Sequence, residues 1–144
     1  MSQNFNTQMD NTVKMITIIT HCAVIPIPIV LFFQAGFTPA LLNLSILLVV
    51  FGLAYLFRPF QYVLNENTIT VRKLIIPKKI DLKNIQSIST IDYKELSVRW
   101  RLWGSGGLWG WFGIFLSAEY GNINLQITEK NNLILIITKD NKFI

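Results

Sequence analysis

A membrane helical hairpin followed by an all-β domain is the fold class that this 144-residue sequence predicts. Three observations predict it. The chain is 51% hydrophobic and only 15% charged, too apolar for an ordinary soluble domain of this size. The excess is concentrated: no formal charge occurs from Met15 to Phe57, whereas residues 58–144 hold 12 of the 13 Lys and Arg and 7 of the 8 acidic residues. After Arg58 the pattern changes to short alternating runs divided by turn residues, the signature of antiparallel strands. The chain therefore divides into a polar N-terminal segment (1–14), a transmembrane hairpin (15–57) and a β domain (58–144).

The first span, Ile16 to Phe33, carries no charge, and at about 1.5 Å per residue it approaches the ~30 Å of a hydrocarbon core. Pro26 and Pro28 predict a kink rather than an end, since membrane helices tolerate proline where neighbours satisfy the freed carbonyls. A re-entrant path through the same pair stays open. The second span, Ala40 to Phe57, has only Asn43 and Ser45 as polar exceptions near its start. Thr38 and Pro39 read as its N-cap and first-turn pair. The connection Gln34 to Pro39 is too short for anything but an antiparallel hairpin. Lys14 precedes the first span, and Arg58, Arg72, Lys73, Lys78 and Lys79 follow the second, while the connection carries no charge; both termini are thus expected in the cytoplasm. A secretory signal peptide is the competing reading of the first segment. No small-x-small cleavage site closes it, and a second span follows at once.

In the β domain, Tyr62–Leu64 and Thr68–Leu74 flank the turn Asn65-Glu66-Asn67. The turn Asp81–Asn84 leads into a strand at Ile85–Ile91. Asn122–Thr128 alternates, with Ile123, Leu125 and Ile127 on one face, and Leu133–Ile137 is continuously apolar. At least five and up to seven strands result, without a soluble helix, which suits one small sandwich or barrel.

The chemistry-bearing residues are few. Cys22 and His21, the only ones of their kind, lie side by side in the first apolar segment, so a disulfide framework and a Cys/His metal site within one chain are both excluded. A pore lining or a metal shared across an oligomer competes there with a polar residue packed between helices, and the packed residue is the expected state. General acid-base and nucleophilic catalysis need a positioned base, and the acidic residues are scattered on turns, so no enzyme, cofactor or metal is expected. All four tryptophans fall within Arg99–Gly113, at Trp100, Trp103, Trp109 and Trp111. Gly104, Gly106, Gly107, Gly110 and Gly113 do not form Gly-x-Gly-x-x-Gly, and no Gly-Lys-Ser/Thr follows, so they read as structural glycines. Neither a nucleotide nor a nucleic-acid partner is expected.

Arg101, the Gly-rich run and Trp111-Phe112-Gly113, followed by a strand, the Gly121 turn and Leu133–Ile137, resemble the bacterial pleckstrin-homology-like (PH) domains of small membrane proteins. Tyr62-Val63-Leu64, Ile69-Thr70-Val71 and Ile80 to Ile85 resemble that family's opening hairpin and the turn into its next strand. The resemblance covers about residues 58–144, with the helical hairpin as a common companion. It implies a strongly bent sheet or partly open barrel of about seven antiparallel strands, closed at one end by a C-terminal helix. Here the sequence stops at Phe143-Ile144, so the capping helix is expected to be absent. Its absence would leave the apolar inner face and one edge for a partner, the membrane or a second copy to cover, unless the chain is a truncated product.

Two functional readings follow. The first is an interaction or scaffold module held at the inner leaflet, with a protein partner or a homo-oligomer. The second is recognition of anionic membrane lipid by Arg99, Trp100, Arg101 and Trp103, with Arg72, Lys73, Lys78 and Lys79 adding charge. Against the second stands a plain structural role: Trp109, Trp111 and Phe112 are expected in the core, and Trp100 and Trp103 are open to either role.

Overall fold

The computed structural model describes residues 3–140 and 142–143. Helix α1 (Asn11–Val24) starts where Asp10, in an extended conformation, accepts the Val13 N–H on Oδ1 at 2.7 Å. Helix α2 (Pro26–Ala35) continues it, because Ile25 between them keeps right-handed angles and donates its N–H to the His21 carbonyl at 2.9 Å. The helical path therefore runs on through the proline pair, as expected. Pro26 and Pro28 have no N–H to offer the carbonyls four residues back, which concentrates the perturbation there. A single residue, Gly36, separates α2 from α3 (Phe37–Phe57).

That turn corrects the expected cap. Gly36, at φ +89°, is itself the N-cap, Thr38 lies inside the first turn, and no side chain caps the helix. Only glycine adopts such an angle without strain, so the chain reverses before Thr38 can take the extended conformation a capping side chain needs. α2 and α3 then pack as neighbours in an antiparallel pair. The stretches Asn11–Ala35 and Phe37–Phe57 are both long and apolar enough to cross a membrane. Their large side chains face outward: Phe33 is 81% exposed and Leu48 67%.

Ten strands are found among the described residues, nine of them after Arg58, where at most seven are expected. One sheet contains β1 (Gln3–Asn6), β2 (Gln61–Leu64), β3 (Thr68–Arg72) and β4 (Lys78–Asp81), antiparallel in that order. A 3₁₀ turn at Leu82–Asn84, where the sequence predicts a turn, passes the chain to the second sheet. This sheet is formed by β5 (Ile85–Ile91), β6 (Val98–Gly106), β7 (Trp111–Ser117), β8 (Gly121–Ile127), β9 (Leu133–Thr138) and β10 (Lys142–Phe143), in the order β5-β9-β10-β8-β7-β6. Every pairing is antiparallel except β10 with β8. The N-terminal segment is thus not merely polar: it adds a strand to the domain that follows the helices, with Asn6 opposite Gln61.

Period-two alternation fixes which face carries the core. Ile123, Leu125 and Ile127 of β8 join Leu133 and Leu135 of β9, Ile91 and Phe115 in one buried cluster. The opposite face meets the first sheet, where Ile80 packs on Ile136 and the Tyr62 hydroxyl donates to the Gln126 carbonyl at 2.6 Å. The two sheets do not close into a barrel, so a closed barrel is corrected, while an open arrangement of antiparallel sheets is what forms. Among the described residues no helix follows β9, yet the inner face is not left open. The β5–β6 connection crosses it and seats Leu96, fully buried, in the cluster, while Ser117 Oγ donates to the Leu96 carbonyl at 2.6 Å.

Candidate functional site

The Trp- and Arg-rich run becomes β6, an outer strand of the six-stranded sheet. Its register with β7 shifts at two places, between Val98 and Trp100 and between Arg101 and Trp103. Such irregularities bend a strand and re-aim its side chains. Arg99 to Trp103 are exposed on both faces, with Trp100 at 71% and Trp103 at 76%. Leu102 is exposed as well. The Arg101 side chain lies back along the strand, where a Cβ on Gly106 would stand 3.3 Å from its Nη1. The outcome for the tryptophans is therefore split by position along the hairpin. Trp100 and Trp103 face solvent, Phe112 is buried, and Trp111 flanks the core cluster.

Trp111 is also covered by a cation. Lys130 Nζ sits 3.9 Å from its ring centroid and 4.2 Å from that of Tyr93. Burial pushes the Lys130 ammonium pKa down, partly offset by the Asp10 charge. Burial raises the pKa of the Tyr93 phenol.

The glycines explain the shape of this hairpin. Gly104 and Gly113 face each other in register, both at positive φ, and a Cβ on either would collide with the opposite backbone. Gly106 has no such angle. Gly107 closes the β6–β7 tip, its N–H bonded to the Gly110 carbonyl at 3.0 Å, and between them Trp109 takes φ +61°. Turns ordinarily reserve that conformation for Gly or Asn.

A contact network absent from the sequence reading offsets this strain. The Trp109 N–H donates to Thr17 Oγ1 of α1 at 3.1 Å. Its ring meets His21 and Tyr55 edge-on, at centroid distances of 5.4 and 5.2 Å. The Arg58 guanidinium lies 4.5 Å from the Tyr55 ring and 5.8 Å from that of Trp109. His21 also meets Phe51 of α3 edge-on at 4.7 Å, and its Nδ1 lies 2.6 Å from the Thr17 carbonyl. His21 is thus a packed polar residue, as expected. A Cβ on Gly107 would stand 2.8 Å from Ile16 Cδ1, so the tip rests directly on α1. The sequence signal for this dock is the stripe Val13, Ile16, Thr17, Thr20 and His21, spaced as one helical face, with Val13 and Thr17 buried.

A second set of contacts joins the start of α1 to the β domain. Asp10 Oδ2 accepts the Lys130 N–H at 3.2 Å, the Asp10 N–H donates to the Thr128 carbonyl at 3.2 Å, and Thr128 Oγ1 donates to the Gln8 carbonyl at 2.8 Å. The short Phe57–Gln61 connection is therefore not the only attachment, and the domain is docked rather than merely tethered.

Arg72 and Lys73 lie elsewhere. Arg72 ends β3 and donates to Gln61 Oε1 at 3.0 Å; Lys73 opens the β3–β4 connection. Arg72 thus belongs to the first sheet and Lys73 to the connection that follows it, whereas Arg99–Trp103 lie on an outer strand of the second sheet. Burial lowers the Lys73 pKa, and the charge of Lys78 lowers it further. Among the described residues no group of three or more His, Cys, Asp or Glu is placed to hold a metal ion.

A family model described as a bacterial PH domain matches residues 60–144, more than half of the chain. No curated protein and no solved structure matches the chain.

Proposed function

The chain belongs to the bacterial PH domain family, and from that premise we propose that it is a membrane-anchored interaction or scaffold module, presenting the β6 edge to a protein partner at the cytoplasmic face. The observation that carries this reading is β6 itself: an edge strand, with Trp100, Leu102 and Trp103 exposed beside Arg99 and Arg101. Edge strands offer unpaired backbone donors and acceptors, and exposed aromatic and Arg side chains supply the anchors typical of interfaces. Anchoring is supported by the outward-facing apolar helices. A common side for both termini is supported by β1, which precedes the helices yet pairs with β2, which follows them. The positive flanks favour the cytoplasm for that side. A binding role rather than catalysis suits a chain whose one imidazole is occupied in packing.

The test is a photo-crosslinking residue in place of Trp103 in the full chain, activated in native membranes. One reproducible protein adduct, lost when the probe is moved to the distal turn residue Asn67, is the expected result. Adducts only to lipid, or only to a second copy, would overturn the choice of partner.

The alternation of exposed guanidinium and indole groups on β6 also favours a second reading, recognition of anionic lipid headgroups. In the full chain reconstituted in vesicles, Arg99→Glu combined with Arg101→Glu should then abolish any blue shift of tryptophan emission caused by anionic lipid. An unchanged shift sinks that reading.

A further inference from the structure

The β3–β4 connection carries Leu74, Ile75 and Ile76, which are 53%, 48% and 62% exposed, followed by the exposed Pro77. No core cluster includes them. Four basic residues surround them in sequence: Arg72 and Lys73 before, Lys78 and Lys79 after. An apolar tip within a basic collar is the composition of a segment that enters the interface of an anionic bilayer.

The topology aims this tip. β2 leaves α3 through Arg58, Pro59 and Phe60, so its first residue, Gln61, is the end nearest the helices. Gln61 stands opposite Arg72, and the Phe60 N–H donates to the Arg72 carbonyl at 3.1 Å, so β3 runs back toward the helices and ends there. Beyond Arg72 the chain has three residues to reach Ile75, about 10 Å at a strand's rise, which brings the apex toward the level of the last turn of α3. The β6–β7 tip supplies an independent reference. It is seated on Ile16 and Thr17, so one hairpin tip of the domain already lies against the first apolar segment. Asn65–Asn67, at the other end of the β2–β3 hairpin, points away.

We propose that Leu74, Ile75 and Ile76 form a wedge that inserts into the headgroup and upper acyl region of the same bilayer that the helices cross, with Arg72, Lys73, Lys78 and Lys79 on its anionic headgroups. The inference rests on the membrane reading above. Together with the helix ends and the Trp109 dock, the wedge holds the β domain in one orientation, with β6 extending away from the membrane. Burial lowers the Lys73 pKa, and the neighbouring Lys78 charge lowers it further, so these two basic groups stand close together beside the tip.

The test uses the full chain with Cys22→Ser, carrying one environment-sensitive fluorophore at Ile75→Cys, Leu48→Cys or Asn67→Cys, reconstituted in vesicles of phosphatidylcholine and phosphatidylglycerol. Quenchers are nitroxide lipids and aqueous iodide. The expected result has the Leu48 probe quenched by deep nitroxide, the Ile75 probe losing most of its emission to shallow nitroxide while resisting iodide, and the Asn67 probe showing the reverse. Iodide quenching at position 75, with the Leu48 probe still in lipid, would overturn the wedge and leave the anchoring intact. Protection from both quenchers at position 75 would overturn it in favour of contact with a second copy. Failure of the Leu48 probe to meet lipid would overturn the anchoring, and the wedge with it.

Discussion

The helical hairpin and the β domain draw on the same apolar residue types and dispose of them in opposite ways. In the hairpin, Phe33 and Leu48 are among the most exposed large apolar side chains, and only Ala40 of α3 is buried. In the β domain, Leu96 and Leu125 have no exposure, and Ile123 has almost none. Periodicity explains the contrast. The β strands alternate, so one face can be hidden, whereas α3 is apolar all round and has no polar face to turn outward. An all-round apolar helix needs an apolar environment on every side, and among the described residues no core cluster includes α3. Composition alone therefore misleads; what separates the two regions is where the apolar groups point.

The sharpest way to break that contrast is to truncate one leucine in each region. Leu125→Ala removes a fully buried side chain from the main cluster and should cost about 2–5 kcal/mol, measured by equilibrium denaturation in detergent. Leu48→Ala removes an outward-facing side chain in a helix that alanine favours, so its cost should be about 0.5 kcal/mol or less. Equal losses would mean that α3 is packed in water as a core helix.

A smaller effect probes the seam between the two regions. Gly107 is held at φ +119° with Ile16 against the place a Cβ would fill, so Gly107→Ala should cost about 1–3 kcal/mol and shift the emission of Trp109. Gly106→Ala provides the comparison, because its angle is ordinary and the nearest obstacle is the movable end of Arg101. It should change stability by about 0.5 kcal/mol or less. If the two variants behave alike, the tip is not seated on α1.

Much of this arrangement was legible in the sequence because it follows from local pattern. The two apolar segments, the Asn65–Asn67 turn, the Asp81–Asn84 turn and the alternation of Asn122–Thr128 all lie where periodicity and turn chemistry put them. What was not legible depends on contacts between distant residues. Gln3–Asn6 is polar and short, and it becomes a strand only because β2 offers a free edge. Thr38-Pro39 has the residue types of a helix start, but Gly36 had already turned the chain. Trp109 and Trp100 carry the same side chain nine positions apart, and only the bend of one hairpin against α1 decides that the first is clamped and the second exposed. The spacing of Thr17 and His21 hinted at a helix face with a neighbour, without naming the neighbour.

The smallest effect concerns the joint between the two sheets. The Tyr62 hydroxyl donates to the Gln126 carbonyl across that joint, so Tyr62→Phe should cost about 0.5–1.5 kcal/mol near neutral pH. Burial, assisted by the Glu129 charge, raises the Tyr62 phenol well above its ordinary value. A group whose folded pKa is raised contributes stability that is complete below its unfolded pKa and is lost as pH rises beyond it. The native chain should accordingly lose stability above about pH 10, by up to about 1.4 kcal/mol per pH unit from this group alone. Tyr62→Phe lacks the group and should fall less steeply, with Tyr93, also raised by burial, accounting for part of the remaining slope. The two denaturation curves should therefore converge above pH 10 and then cross. If they stay parallel, Tyr62 is not buried between the sheets, and the first sheet, with its Leu74–Ile76 tip, is not fixed on the second.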